Sequence, residues 1–386
     1  MLEPDAGLEF DADKDEEFFS LLPERPAVCL IQAREENAEP HLIRTANLRR
    51  RLQRLLSPAD PGSKRLNLRD FARQVRYRVT SSAFEQSLAY YRIARQYFPK
   101  RYRDLMRLRP SPVLKINLGN AYPRCYVTRH ISVNEHGEPA GGIYYGPFPS
   151  RRVAQGYADS MLDFFKVRRC QIKIRRDPSF PGCIYSEMKM CLAPCFAGCT
   201  KEEYDVEVNR LVEFLQTNGG SLRANYEQER GRASEELDFE RAAAIHKKVE
   251  KLDAALRAGP DIARRVQDLN AVILQRMAEE QTIGMFGVRS GRLVEPCALQ
   301  FGDTGRPRSA EETVRDYLEN VMSTLPSTGP PRQSATELGE HLRLLARWFY
   351  SNPRQGEIFF HDKGWPYRRM LRACARLLAP PEPSQA

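Results

Sequence analysis

The sequence predicts a mixed α/β (α+β) chain made of several small regions. Short apolar runs bounded by turn residues alternate with segments whose apolar residues recur at helical spacing, which indicates strands and helices interspersed along the chain. With 386 residues, the chain is long enough for two or three domains, each with its own core. The stretches 203–216 and 222–257 have only the helical period, so an all-helical region is expected between two mixed ones.

The N-terminal region is predicted to be a small sheet with helices behind an acidic tail. Residues 1–17 hold eight carboxylates against Lys14, a composition typical of disorder. Apolar runs at 27–31 and 41–44 flank a polar gap and predict a hairpin. Helices are then expected over 48–56, with Asn47 as its cap, over 66–78 and over 83–98.

The rest of the chain alternates between strands and helices. Strands are predicted at 113–116, 125–128, 272–274 and 357–360, and helices at 151–168, 203–216 and 222–257, the last as a hairpin. We therefore divide the chain at changes of pattern: 1–17 tail, 18–108 first domain, 109–200 strands with a cysteine cluster, 201–258 helical region, 262–376 mixed α/β region, and 377–386 disordered tail.

Basic residues exceed acidic ones by ten, and the excess is concentrated. Residues 44–109 contain 18 Arg and Lys against four acids. Such a density attracts polyanions, and the arginine fork suits phosphate oxygens, so nucleic acid is the expected partner. A solvated face that only confers solubility is the alternative. No run reaches the roughly 20 apolar residues of a membrane span, and the acidic N-terminus is unlike a secretory signal, so a cytoplasmic protein with no membrane contact is expected.

Five of the nine cysteines fall between residues 170 and 199. Cys170, Cys183, Cys191 and Cys195 have the spacing C-x12-C-x7-C-x3-C, and Cys199 follows. Four thiolates in a reducing compartment suit an iron–sulfur cluster or a structural zinc ion. Buried free cysteines, which behave as small apolar residues, are the third possibility.

Several stretches, in order, resemble UvrC-type excinuclease subunits. They are LPERPAVC (22–29) for the opening strand, HLIRTANLRRR (41–51) for the second strand and its helix, SAFEQSLAY (82–90) with Pro99 for a later helix, YGPF (145–148) and FKVRRC (165–170) for the segment after the nuclease domain, and ASEELDFERAA (233–243) for the UVR motif. The resemblance implies a degenerate GIY-YIG-like sheet over 18–108, a UVR hairpin over about 222–257 and a role in nucleotide excision repair and the SOS response. The RNase H-like nuclease and helix-hairpin-helix parts of the family are expected to be lacking, and 262–376 to be a remnant.

The resemblance also implies that the nuclease site is altered. GIY-YIG nucleases use a metal ion held by Glu, a tyrosine pair and an arginine; the tyrosine positions match Cys29 and His41, the Glu position matches Tyr90, and Arg51 is retained. A phenol does not replace a carboxylate as an Mg²⁺ ligand, so a pseudo-nuclease is expected, with Mg²⁺ or Mn²⁺ bound only if the site is active. Glu85 would serve only after a five-residue slip, which is not a whole number of helical turns.

Other functional positions follow from the same resemblance. DNA is expected to contact Arg44, Asn47, Arg49, Arg50, Arg51 and Arg54. The family's cysteines, thought to bind a 4Fe–4S cluster, match Cys170, Cys183, Cys191 and Cys195. A UvrB-like partner is expected to dock on the hairpin through its turn, its alanines and an apolar stripe: Leu237, Phe239, Ala242, Ala243, Ile245, Val249 and Leu252. The alternative for the stripe is burial within its own domain.

Three functional hypotheses follow. The first is a DNA-binding repair scaffold that docks a UvrB-like protein and does not cut. The second is an active excinuclease subunit in which His41 and Arg51 support metal-dependent single-strand cuts. The third is a regulator that senses redox state through the iron–sulfur cluster.

Overall fold

The computed structural model describes residues 4, 6–58, 62, 64–301, 310–321 and 331–379. Over these residues the chain forms three antiparallel sheets with helices packed on them, so the predicted α+β class is confirmed. Within the same ranges, no helix has both the length and the apolar composition that crossing a bilayer requires.

The first sheet has the strand order β1-β4-β2-β3. Its elements are β1 (Ala6–Glu9), α1 (Asp15–Leu21), β2 (Ala27–Ala33), β3 (His41–Thr45), α2 (Leu48–Leu56), β4 (Ala72–Val79), α3 (Ala83–Tyr97) and α4 (Tyr102–Leu105). The predicted hairpin is β2 and β3, with Cys29 opposite Ile43. Asn47 caps α2 by accepting a 2.9 Å hydrogen bond from the backbone N–H of Arg50. Both predictions are confirmed, as is the helix predicted over 83–98.

The helix predicted over 66–78 is wrong, because residues 72–79 form the central strand β4. Val75 is fully buried and lies opposite Leu8 on one side and Ile31 on the other. A strand paired along both edges satisfies its backbone through neighbours distant in sequence. This tertiary pairing overrides the weak local helical spacing.

The acidic tail predicted to be disordered over 1–17 is also ordered in part. Residues 6–9 form β1 on the edge of β4, and Phe10 and Phe18 are buried with their rings 5.1 Å apart. Arg69 donates to Asp15 Oδ2 at 2.6 Å and to the Ala12 carbonyl at 2.6 Å. The aromatic side chains between the acids bury apolar surface, which stabilises this segment despite its high content of acids.

The second sheet has the order β6-β5-β7-β8 and belongs to the middle region. The elements of this part are β5 (Val113–Ile116), β6 (Cys125–Thr128), β7 (Ile143–Gly146), α5 (Arg151–Leu162), α6 (Ile184–Glu187), α7 (Lys201–Gln216), α8 (Gly220–Glu235), α9 (Phe239–Arg257) and β8 (Arg264–Arg265). The strands predicted at 113–116 and 125–128 are confirmed. The helix predicted over 151–168 ends at Leu162, because the backbone at Lys166 instead bonds to Glu207 of α7 and to Leu192.

The third sheet, with the order β11-β10-β9-β13 and β12 also on β10, lies in the C-terminal region. Its parts are β9 (Ala271–Arg276), β10 (Thr282–Arg289), β11 (Arg292–Leu293), β12 (Cys297–Gln300), α10 (Ala310–Asp316), α11 (Pro331–Phe349), β13 (Glu357–Phe360) and α12 (Tyr367–Leu378). The predicted strands at 272–274 and 357–360 are neighbours in this sheet. The tail predicted to be disordered over 377–386 begins inside α12, and residues 380–386 lie outside the described residues.

The first and third sheets share a core. The Phe84 ring of α3 lies 5.3 Å from that of Phe286 and 5.5 Å from that of Trp348. Ser82 donates a 2.7 Å hydrogen bond to the buried Gln275 of β9. The C-terminal region therefore supports α3, which carries the predicted metal-ligand position.

Candidate functional site

The Cys29 position cannot activate water in this fold. Cys29 lies on β2 between Tyr77 of β4 and Ile43 of β3, and its side chain is fully buried. Burial raises the pKa of the Cys29 thiol far above its usual range. A neutral, enclosed thiol offers neither a base nor a metal ligand.

His41 and Arg51 lie close together on one face of the sheet. His41 is opposite Ile31 in the β2–β3 ladder, so it points to the same side as Cys29. Burial, and then the positive charge of Arg51 on α2, lower the pKa of His41. At neutral pH the imidazole is therefore neutral and able to accept a proton.

Tyr90 lies on the other face. Its helix packs against Val28 and Leu30, whose side chains point away from the Cys29 side of β2. The guanidinium of Arg44 is 5.8 Å from the centre of the Tyr90 ring. Burial raises the pKa of the Tyr90 phenol, and the Arg44 charge opposes this rise in part. The expected single site is therefore split by the alternation of side chains along the strands.

Glu85 is already used by the fold. Its Oε2 accepts a 2.7 Å hydrogen bond from the backbone N–H of Ser81, and Arg78 lies 3.4 Å from Oε1. Its own N–H donates to the capping hydroxyl of Ser82 at 3.0 Å. Burial raises the pKa of this carboxyl, although the Ser81 and Arg78 contacts oppose the rise. Glu85 thus secures the start of α3, and the slipped register has no ligand to offer.

The six residues expected to contact DNA fall into two groups. Arg49 is structural, because it donates to the Leu22 carbonyl at 2.7 Å and to Glu24 at 2.7 Å, and Asn47 is the α2 cap. Arg44, Arg50 and Arg54 are exposed and Arg51 is half-buried. Only the second group has guanidinium groups free enough to meet phosphates.

Arginines on β4 were missed by the sequence analysis. Arg73 is exposed, and Arg76 is half-buried with a 3.2 Å contact to the Tyr97 hydroxyl. The alternation of polar residues with Val75, Tyr77 and Val79 was the available signal. Arg73 on β4 therefore lies in the same domain as the arginines of α2.

The four predicted thiols lie in the segment between α5 and α7. All the cysteines are free. Burial raises the pKa of Cys191 to about 11, and the thiols Cys170, Cys195 and Cys183 add smaller contributions in the same direction. In the described ranges, however, no three His, Cys, Asp or Glu side chains are arranged to hold a metal ion.

The backbone around these thiols is tightly wound. Ala193 and Ala197 have left-handed φ values of 56° and 61°, and Pro194 lies between them. Ala193 N–H donates to the Cys191 sulfur at 3.3 Å. Left-handed residues other than glycine are costly and cluster at functional loops. Cys199 is electrostatically coupled to Glu203, Arg176 and Cys195, so among the four predicted thiols it is coupled to Cys195 alone.

The helical hairpin exposes its turn and buries its stripe. Leu237 and Phe239 are 71% and 68% exposed, and Ala243 is also exposed with Ala242 half-buried. The remaining stripe residues are buried: Ile245, Val249 and Leu252. They were expected to meet a UvrB-like partner, and this stays a prediction; Leu252 belongs to the core of the middle region.

A cavity of about 510 Å³ lies where the middle sheet, the hairpin base and the loop before α12 meet. Four of its charged groups form two pairs, Arg264 with Asp362 and Arg265 with Asp268 at 3.9 Å. Asp261 and Lys363 also line the cavity, so acids and bases are balanced in number, and we assign no ligand to it.

Comparisons with known proteins agree with the resemblance. Residues 111–214 match the family model described as UvrC/Cho excinuclease, middle domain. The chain is 29% identical over 358 residues to UvrABC system protein C of Carboxydothermus hydrogenoformans, covering 88% of this chain and 55% of that protein. It is 25% identical over 347 residues to the protein of that name from Thermoanaerobacter sp. (strain X514), covering 89% and 55%.

The chain is also 26% identical to UvrABC system protein C of Protochlamydia amoebophila, over 74% of this chain and 46% of the relative. The chain therefore spans about half the length of the curated relatives that it matches. No solved structure matches it significantly. Residues 111–214 therefore match the middle domain of UvrC-type proteins, and the chain is similar to UvrABC system protein C along most of its own length.

Proposed function

We propose that this protein acts in nucleotide excision repair as a scaffold that binds DNA and a UvrB-like protein but does not cut DNA. The observation that carries the proposal is the division of the nuclease-like positions. Cys29 is sealed, and Tyr90 lies on the opposite face of the sheet from His41 and Arg51. Phosphodiester hydrolysis by one metal ion needs the metal ligand and the base to converge on the same phosphate, which side chains on opposite faces of a sheet do not do.

DNA binding is supported by the exposed arginines of the first domain. Arg50 and Arg54 are one helical turn apart on α2, and both are exposed. Neither is within ion-pair distance of an acid in the described ranges. Guanidinium groups in such a row neutralise neighbouring phosphates and release counterions, which makes the affinity depend on salt.

Docking of a UvrB-like protein is supported by the hairpin turn. Exposed Leu and Phe side chains more than two-thirds accessible are costly in water unless a partner covers them. Leu237 and Phe239 flank Asp238, which caps α9 by accepting from Arg241 N–H at 3.0 Å. The cap holds the two apolar side chains at a rigid tip.

A 4Fe–4S cluster at Cys170, Cys183, Cys191 and Cys195 is part of the proposal. The four thiols are free, and Cys191 is electrostatically coupled to the other three, and four thiolates are the donor set that iron–sulfur clusters require. These cysteines would hold the iron, and the cluster would supply either structural support or a redox-active centre. A cytoplasmic location, which would keep the thiols reduced, belongs to the same proposal.

An incision assay tests the scaffold proposal. The purified chain is incubated with Mg²⁺ or Mn²⁺ and nicked or lesion-bearing DNA, with and without a UvrB-like protein and ATP. We expect DNA binding without cut products. Cutting that Arg51→Ala abolishes and the matched neighbour Arg50→Ala retains would establish the second candidate, an active excinuclease subunit.

Each of the two alternative functions is favoured by one observation. The neutral His41 beside Arg51 favours weak metal-dependent cutting, and Mg²⁺ or Mn²⁺ would then be required. The cluster of four cysteines favours a redox sensor. A sensor would bind DNA or its partner differently in the oxidised and reduced forms, whereas the scaffold would bind equally in both.

A further inference from the structure

We propose that helix α12 carries a second DNA-contacting surface, formed by the arginine row Arg368, Arg369 and Arg372. Lys363 lies shortly before the helix and is also exposed. The inference rests on the proposed function in that DNA is the polyanion concerned. It extends that function to the C-terminal region, far along the chain from the α2 arginines.

The charges of residues 331–379 are strongly unbalanced. This segment contains nine Arg and Lys against four acids, and every one of the acids has a partner. Glu337 and Glu340 are buried beside Arg95 and Arg103. The other two are on the surface, where Glu357 binds Arg376 and Asp362 binds Arg264. No acid of this segment is left to neutralise the arginine row.

The arginine row lies on the solvent side of an amphipathic helix. α12 buries Met370, Ala373 and Cys374 in the core beneath the third sheet, so the arginines on its other side are exposed. Arg368 and Arg372 are one turn apart, about 6 Å along the axis. Arg372 Nε donates to the Arg368 carbonyl at 3.3 Å. None of the three arginines has a carboxylate within 4 Å in the described parts of the chain.

The neighbouring helix α10 contains the acids Glu311, Glu312 and Asp316, but within the described residues none of them forms an ion pair with the arginine row. Helix α10 packs on α12, and its Glu311 pairs with Arg315 of its own helix. The guanidinium of Arg315 lies 4.9 Å from the Tyr367 ring centre, which adds a cation near the first turn of α12. At the other end, Arg276 of β9 donates to the Ala379 carbonyl at 3.0 Å. Cations therefore flank the arginine row at both ends.

Helix stability does not explain this arrangement. Like charges one turn apart are mutually repulsive, and arginines in the first helical turn oppose the helix dipole. The burial of Met370, Ala373 and Cys374 would be the same with neutral residues outside. Guanidinium forks spaced at about 6 Å suit phosphate oxygens, which are the repeating acceptors of a nucleic acid backbone. We therefore assign the surface to duplex DNA rather than to an acidic protein.

A salt titration tests the assignment. The affinity of the full chain for a duplex is measured from low to moderate salt, for the wild type and for R368Q/R369Q/R372Q. Each lost phosphate contact lowers the slope of log K against log salt by about 0.9, so a fall of about 2 to 3 is expected. Arg376→Gln is the matched control, because its guanidinium is held by both oxygens of Glu357; its slope should match the wild type.

The outcomes separate the proposal of an α12 surface from the proposal that the chain binds DNA. If the wild type does not bind duplex DNA, both proposals fail. If it binds with a slope that the triple variant shares, DNA binding stands and the α12 surface is rejected. The α12 surface is also rejected as a DNA contact if the triple variant keeps DNA binding but loses an acidic protein partner. R368K/R369K/R372K, which retains the charges, should restore most of the slope, and this rescue excludes loss by unfolding.

Discussion

The Tyr91 hydroxyl on α3 donates a 2.8 Å hydrogen bond to Oε2 of Glu340 on α11. Oε1 of the same carboxylate accepts from Tyr102 at 2.8 Å and from Arg103 at 2.8 Å. Glu340 is only 1% exposed. One buried carboxylate therefore joins two helices of the first domain to the C-terminal region, so these parts are expected to unfold together.

Removal of this carboxylate should destabilise the whole chain. Glu340→Ala leaves two hydroxyls and a guanidinium without their acceptor, and we expect a loss of about 3 to 5 kcal/mol in the free energy of unfolding. Glu229→Ala, at an exposed position on α8, should change it by less than about 0.5 kcal/mol. Urea unfolding with separate probes of the two regions measures both effects. Two separate transitions in the wild type would contradict the coupling.

A buried histidine beside this network should make stability depend on pH. Burial, and then the charges of Arg292, Arg95 and Arg92, lower the pKa of His341 to about 3, and its Nδ1 accepts from Leu293 N–H at 3.1 Å. The unfolded chain binds a proton near pH 6.5 that the folded chain refuses. Stability should therefore fall as pH drops from about 6.5 towards 3, by up to about 1.4 kcal/mol per pH unit.

The His341→Gln variant isolates this contribution. The absolute stability of the variant does not enter the test, since the measured quantity is the slope of the unfolding free energy between pH 6.5 and 4.5. The slope should be flatter than that of the wild type by about one proton. His130→Gln, at an exposed site, is the control and should leave the slope unaltered. Equal slopes for all three proteins would show that His341 is not protected from protonation.

The sequence predicted elements whose signal is local. The capped α2 and the hairpin of β2 and β3 depend on residues near one another in the chain, and both are confirmed. Strand β4 failed as a prediction because its pairing partners, such as Leu8 and Ile31, are remote in sequence. The buried acids of α11 could not be foreseen either, since their arginine and tyrosine partners lie more than 200 residues away.

The candidate site was predictable as a set of positions but not as a geometry. Matching the family motif identified Cys29, His41, Arg51 and Tyr90, yet a motif does not say which face of a sheet each side chain occupies. Strand register decides that, and a shift of one residue would reverse it. The stripe of Ile245 and Val249 was ambiguous for a similar reason, because helical periodicity gives an apolar face without naming what covers it.

The divided site predicts that a single restored carboxylate will not restore a nuclease. Tyr90→Glu places an acid near Arg44, on the side of the sheet away from His41 and Arg51. We expect no Mg²⁺-dependent cutting of DNA and a loss of about 1 to 3 kcal/mol in stability from burying the carboxylate. Tyr90→Phe, which keeps the ring, should be nearly neutral. Metal-dependent cutting by Tyr90→Glu would contradict the divided site, because it would show that position 90 and His41 act on the same phosphate.

The hairpin tip predicts a partner contact that can be removed without harm to the fold. Leu237→Asp with Phe239→Asp should abolish capture of a UvrB-like protein, because both side chains lose apolar area at the contact. The melting temperature should stay within a few degrees, since both positions are more than two-thirds exposed. Ala254→Asp, exposed on the same helix α9, is the control. Unchanged capture by the double variant would place the partner elsewhere.

The four cysteines predict a cluster whose loss can be followed without any activity assay. Protein purified without oxygen should be brown and contain about four irons and four sulfides per chain if all four thiols are ligands. Cys191→Ser should lose most of the iron, because Cys191 is coupled to each of the other three thiols. Cys199→Ser is the matched control in the same loop and should keep the iron, since Cys199 is coupled among these thiols to Cys195 alone. Colourless protein with one zinc per chain would identify a structural zinc site in place of the cluster, and protein without either metal would identify the four residues as free cysteines.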